Sequence, residues 1–168
     1  MNSRCARAAA LLTTGLLAGA FLYGWAIVVP TFAAVPLDIH LVFRTELMKS
    51  NAPLMQTLMG SALATSVWYA LTVRDKARWA AAGAAVLALI SLVVTRFGNV
   101  PINLEIKEWA RGPLTPGYQD RLRAWEALND ARVAAALGAL VLLVVAVDLS
   151  RSGAAIQAPH SPVRSASE

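Results

Sequence analysis

Residues 96–132 read RFGNVPINLEIKEWARGPLTPGYQDRLRAWEALNDAR, the longest polar run in a chain that is otherwise mostly apolar. The run mixes Arg96, Lys107, Arg111, Arg121, Arg123 and Arg132 with Glu105, Glu108, Asp120, Glu126 and Asp130, and apolar blocks of near-spanning length flank it. Its interior divides at Gly112-Pro113, a strong helix breaker. A first helical piece is expected near Ile102–Ala110. A second begins at Thr115-Pro116, with Thr as cap and Pro in the first turn, and continues unbroken into the apolar block Val133–Val147. A structureless connection of this length would be unusual in a compact protein.

Working outward, the remaining apolar residues come in blocks and not in amphipathic stripes, so lipid is the solvent the chain is built for. With 57% hydrophobic and 15% charged residues, the composition lies far from the roughly 25% charge of an average soluble domain. Spans are expected at about 8–36, 53–73, 78–97 and 131–149. The first uncharged run is too long for a signal-peptide core and reads as an uncleaved helix, despite Thr31-Phe32-Ala33 resembling a cleavage site. Gly15 and Gly19 within it form a small-xxx-small pair suited to close helix packing. Leu37–Ala52, which holds Asp38, His40, Arg44, Glu46 and Lys49, reads as a short interfacial helix. A new helix then starts at Asn51-Ala52-Pro53 and carries the least apolar span. The expected fold is therefore all-α: an integral membrane four-helix bundle over 1–150, with a polar helical connection between spans three and four. Residues 151–168 are expected to be a disordered tail.

The formal charge of +5 sits beside the apolar blocks, where it orients spans in the bilayer; no basic run is interleaved with aromatics, so nucleic acid is not an expected partner. Arg4, Arg7 and the loop cluster Arg74, Lys76 and Arg78 place both termini on the cytoplasmic side of the cell membrane. The single Cys5 and two histidines, His40 and His160, offer no disulfide and no multi-His metal site within one chain, and no phosphate loop or dinucleotide fingerprint is present. No metal or cofactor is expected.

Two groups of residues could carry chemistry. Arg121, Trp125, Asn129 and Arg132 fall at i, i+4, i+8 and i+11 and share one helical face. That face either pairs with the first polar helix, through Glu105 or Glu108, or offers a stacking surface, an amide and positive charge to a flat aromatic ligand bearing a phenolate or enolate oxygen. Asn99-Val100-Pro101-Ile102-Asn103 breaks a helix where the chain leaves the third span. The two Asn side chains either satisfy freed backbone groups or line a cavity. Arg96 either snorkels to the interface or points inward over the bundle.

Taken together, Pro101 and Asn103 after the third span, then Trp109, then Trp125 and Arg132 entering the fourth, resemble the anthrone oxygenase-like family of small four-span membrane proteins. The resemblance implies oxidation of an anthrone to a quinone by O2 without metal or flavin. An acidic C–H proton is removed, and the carbanion then gives an electron to O2. It also implies roles: Asn129, Arg132 and Trp125 as catalytic residues, with Asn99, Asn103, Trp109 and Arg121 contacting substrate. Trp125 would stack, Arg132 would stabilise an enolate oxygen, and Asn103 and Asn129 would orient. Asn129 stands where the family pattern has His, the natural base for this chemistry. Either His40 or Asp130 substitutes, or the chain does not catalyse the family reaction. The alternative is a non-catalytic membrane protein that binds a lipid, a quinone-like molecule or a partner protein through the 96–132 cap.

Overall fold

The computed structural model describes residues 3–156, with side chains described through Arg151. Of the tail expected to be disordered over 151–168, residues 151–156 instead continue the last helix, and 157–168 lie outside the described residues. Among those described, every element is helical: α1 (Ser3–Tyr23), a π-turn (Gly24–Val28), α2 (Val29–Ala33), α3 (Leu37–Thr72), α4 (Asp75–Val93), a second π-turn (Val94–Asn99), α5 (Val100–Trp109) and α6 (Tyr118–Ile156). Three continuous helices, Ser3–Ala33, Asp75–Trp109 and Tyr118–Arg151, are long and apolar enough to cross a bilayer. At about 1.5 Å per residue each is longer than the roughly 30 Å of hydrocarbon.

The span expected at 53–73 lies in the second half of α3, whose Gln56, Thr57, Ser61, Thr65 and Ser66 dilute it, and α3 is not among the helices apolar enough by composition. Two of those groups, Thr57 and Thr65, are spent on helix contacts. Thr65 bonds the Ser61 carbonyl at 2.7 Å and Thr13 of α1 at 2.8 Å. The helix start expected at Pro53 is not made: α3 runs through it for 36 residues. The break falls earlier, at Ala34–Pro36, where Pro36 is extended and its carbonyl accepts the His40 N–H at 2.9 Å.

Pro101 likewise does not break its helix. The turn before it widens, so that the Val100 N–H bonds the Thr95 carbonyl five residues back. The same device precedes Pro30, where the Val29 N–H reaches the Gly24 carbonyl. A proline in a helix removes one donor and crowds the carbonyl four residues behind. A π-turn immediately upstream relieves that crowding and lets each helix continue. The other end of the polar run differs from expectation too. Thr115 does not cap α6 with its side chain; its Oγ1 accepts the Trp109 Nε1–H at 3.0 Å, and Gly117 makes the turn into α6 at φ 80°.

The four long rods pack in a ring, α1 on α3, α3 on α4, α4 on α6 and α6 on α1. Along the ring the core forms three layers. Ala6, Ala10, Tyr69, Ala81, Ala84, Ala139 and Leu143 make the first. Leu17, Phe21, Met59, Ala62, Val133 and Ala136 make the middle one. Leu41, Ile102, Ile106, Trp109 and Trp125 make the third, a cap built from α3, α5 and α6. Alanine dominates where α4 meets α6, and small residues let two backbones approach without a hydrophobic drive from water. The close approaches are reciprocal: Leu142 lies over Gly83, and Leu87 lies over Gly138, each 3.0 Å from where a Cβ would sit. Gly15 and Gly19 do not pack in this way, since a Cβ on either meets nothing within 4 Å. Gly138→Leu should therefore lower stability by about 1–3 kcal/mol through overpacking. Gly15→Leu should change it little, a contrast measurable by thermal unfolding in detergent.

Candidate active site in the cap

Between the middle layer and the cap lies a cavity of about 630 Å³, walled by α1, both π-turns, α3 and α6. Its polar wall is built around Trp125, which α6 carries into the cap core at 6% exposure. Asn103 of α5 accepts the indole N–H at 2.8 Å, and Asn99 donates to the Trp125 backbone carbonyl at 3.1 Å. The π-turn helps to place that pair: Asn99 closes the widened turn, and Asn103 follows one helical turn later. One ring is thus held through both its side chain and its backbone.

Two guanidinium groups lie over this ring. The Cζ of Arg44, from α3, is 3.8 Å from the ring centroid, and that of Arg132 is 5.6 Å away. Arg132 also lies 4.7 Å from the Phe21 ring, and its Nε and Nη2 both donate to Asn129 Oδ1, at 3.0 and 2.8 Å. Arg44 is 3% exposed and sits between Trp125 and Phe32, with Nη1 3.3 Å from His40 Nε2. A cation over an aromatic face is stabilised by about 2 kcal/mol when desolvated, which offsets part of the cost of burying these charges. Burial lowers the Arg44 guanidinium to about 10, with the Glu126 carboxylate opposing and Arg132 adding to the shift. It therefore stays charged at neutral pH.

The wall is one-sided in charge. Arg44, Arg96 and Arg132 line it, and among the described residues no carboxylate and no imidazole does. The buried side-chain atoms without a hydrogen-bond partner on lining residues are all nitrogens: Arg44 Nε, Arg44 Nη2 and Asn129 Nδ2. Buried polar groups are nearly always paired, so three orphaned donors on the residues of one wall ask for an acceptor.

Of the residues singled out in the sequence, Asn103, Trp125, Asn129 and Arg132 line this cavity together. Asn99 stands behind them, fully buried, as the support of Trp125. Trp109 and Arg121 do not reach it. Trp109 is in the cap core, edge-on to Tyr118 at 6.2 Å. Arg121 is one helical turn too far out and forms a two-pronged ion pair with Glu105, with Nε 2.9 Å from Oε2. Arg96 is exposed near Phe97 and also lines the cavity mouth. Arg44, Phe32 and Phe21 were not legible as site residues, and His40 was singled out only as a substitute base. The signal for Arg44 is its position in the stripe Leu37, Leu41, Met48, an apolar helix face interrupted by one cation.

Neither candidate base is in the wall. His40 lies behind Arg44, stacked on Phe32 at 5.1 Å, and Asp130 accepts the Trp25 Nε1–H at 2.9 Å on another face.

The fold and this wall define a helical membrane protein with a cationic, aromatic cavity in its cap. A family model described as anthrone oxygenase matches residues 40–142, from His40 through Arg132 and beyond, and the chain belongs to that family. No curated protein and no solved structure matches it.

Partial burial first, and the Arg44 charge second, hold the His40 pKa below its ordinary 6.5. The unfolded chain therefore binds more protons than the folded one between the lowered value and 6.5, so stability is present above 6.5 and is lost as pH falls through that window. The melting temperature in detergent should fall between about pH 7 and pH 5, and His40→Gln should flatten that dependence.

Proposed function

We propose that the cap cavity binds a flat phenolic substrate of anthrone type as its oxyanion and oxidises it with O2. The observation that carries this reading is the wall itself: an aromatic floor and orphaned N–H donors, with no anion among the described residues to satisfy them. Trp125 stacks on the ring system, Arg132 and Asn129 Nδ2 hold the oxygen where negative charge develops, and Asn103 fixes the indole. Donors preorganised at a developing oxyanion in a site with little water are the largest single aid to such a step.

The chemistry balances without a further reductant. Loss of a proton from the reacting CH2 gives an enolate. The enolate passes one electron to O2, and the radical and superoxide combine at that carbon into a peroxide, which takes up a proton. The remaining C–H proton then leaves as the O–O bond breaks, so one oxygen atom becomes the ketone and the other leaves in water. Asn129 cannot accept the first proton. In this reading Arg132 and Asn129 raise the acidity of the substrate until water or hydroxide removes it. The membrane placement belongs to the same proposal. With 53–73 as the second crossing and basic residues at 4, 7, 74, 76 and 78 inside, both termini are cytoplasmic and the cap faces outward.

A second reading is favoured by the absence of any imidazole or carboxylate from the described wall: the cavity binds a quinone-like anion without turning it over. Oxygen uptake and quinone absorbance with 1,8-dihydroxyanthrone separate the two. The oxygenase reading expects a rate above spontaneous oxidation that Arg132→Gln lowers about 100-fold and Trp125→Ala also lowers. Asn129→His, which introduces a base, should raise it by about tenfold or more. A wild-type rate equal to the spontaneous one, with the anthrone bound, leaves the binding reading.

A further inference from the structure

The two buried arginines present different edges to a ligand. The Nε and adjacent Nη of a guanidinium form the edge that takes both oxygens of a carboxylate. Arg121 shows the pairing in this protein, with Nε and Nη2 on the two oxygens of Glu105. In Arg132 that edge is already used, since Nε and Nη2 converge on Asn129 Oδ1. Arg132 has only its far end, Nη1 and the outer N–H of Nη2, left for a ligand. In Arg44 the reverse holds. Nη1, at the far end, is turned to His40 Nε2, while Nε and Nη2 have no partner among the described residues. No ion pair to Arg44 exists there either, although the field of Glu126 reaches it.

Resting on the proposed function, we infer that the substrate carries a carboxylate in addition to its reacting oxygen, and that the carboxylate binds the Nε/Nη2 edge of Arg44. The class is a flat aromatic acid, anionic at both ends of the Trp125 surface. Arg44 and Arg132 both lie over that one indole, so a single fused-ring molecule reaches both. His40 is a positioning residue: a neutral Nε2 accepts from Nη1 and turns the free edge away from itself. Arg44 Nε and Nη2 are closed off from water in this arrangement. Met48 and Met55 in the same wall, unbranched and flexible, are the groups able to yield as the acid enters. A buried cation left without a partner is costly, and an apolar residue of like volume is often more stabilising. A carboxylate ligand gives that cation its counter-charge.

The test uses the full chain in detergent micelles at pH 8 and two probes of one shape, anthraquinone-2-carboxylate and anthraquinone-2-carboxamide, followed by quenching of tryptophan fluorescence. The wild type should bind the carboxylate about tenfold or more tighter than the amide, the size expected of a charge-assisted fork. Arg44→Gln should abolish the preference, bringing the ratio of carboxylate to amide affinity to about one. Arg44→Lys, which keeps the charge and loses the fork, should retain only part of it. Equal affinities in the wild type overturn the inference and leave the proposed function standing, because the cavity still binds the ring. A preference that survives Arg44→Gln, or a variant that weakens both probes equally, overturns it as well. Binding of neither probe overturns both. If Arg44→Gln does not fold, the wild-type comparison and Arg44→Lys decide.

Discussion

The cap depends on one arrangement, two guanidinium groups held over the indole of Trp125. Everything around it serves that ring or those charges. Asn103 and Asn99 hold Trp125 from α5 and from the π-turn before it. Asn129 holds Arg132, and His40 holds Arg44. Phe21 and Phe32 supply further faces for the two cations. Two like charges this deep in a helical membrane protein are expensive. They are tolerated because each rests on aromatic faces and keeps at least one polar contact, and because the cavity between them leaves room for an anion.

The cavity exists because the helices are longer than the bilayer requires and do not stop at their prolines. Each π-turn ends two residues before a proline, Pro30 or Pro101, and both turns contribute to the cavity wall. The widened turns let the helix continue past a proline and put Gly24 and Thr95 on the lining. π-turns recur at functional sites because the extra residue re-aims the side chains beyond it. Here those side chains include Asn99 and Asn103, the supports of Trp125. The 36-residue α3 has a complementary effect. Its first half rises past the middle layer and delivers Arg44 to a ring carried by α6.

Much of this was legible in the residues, and the failures have physical causes. Apolar blocks and a polar run divided at Gly112-Pro113 specify helices and a cap, since periodicity and breakers act locally. The face Trp125, Asn129 and Arg132 was legible for the same reason. Prolines 53 and 101 mislead, because whether a proline breaks a helix depends on the turn before it and on the neighbours that hold the rod straight. Arg121 misleads because a shared helical face says nothing of height along the helix, and Glu105 captures it. Arg44 is beyond sequence reasoning as a partner of Trp125, for the contact joins residues 81 positions apart and follows from the ring packing of four helices. The missing base at 129 keeps its force: the wall holds cations and amides, so any acceleration must come from stabilising the anion.

That claim is tested most directly by a structure of the full chain with a planar oxyanion such as 1,8-dihydroxyanthraquinone. The ring system should lie against Trp125, with a ligand oxygen within hydrogen-bond distance, about 3 Å, of Arg132 or Asn129 Nδ2. A ligand seated outside the cap cavity, or inside it with its oxygens turned away from both donors, would contradict the account.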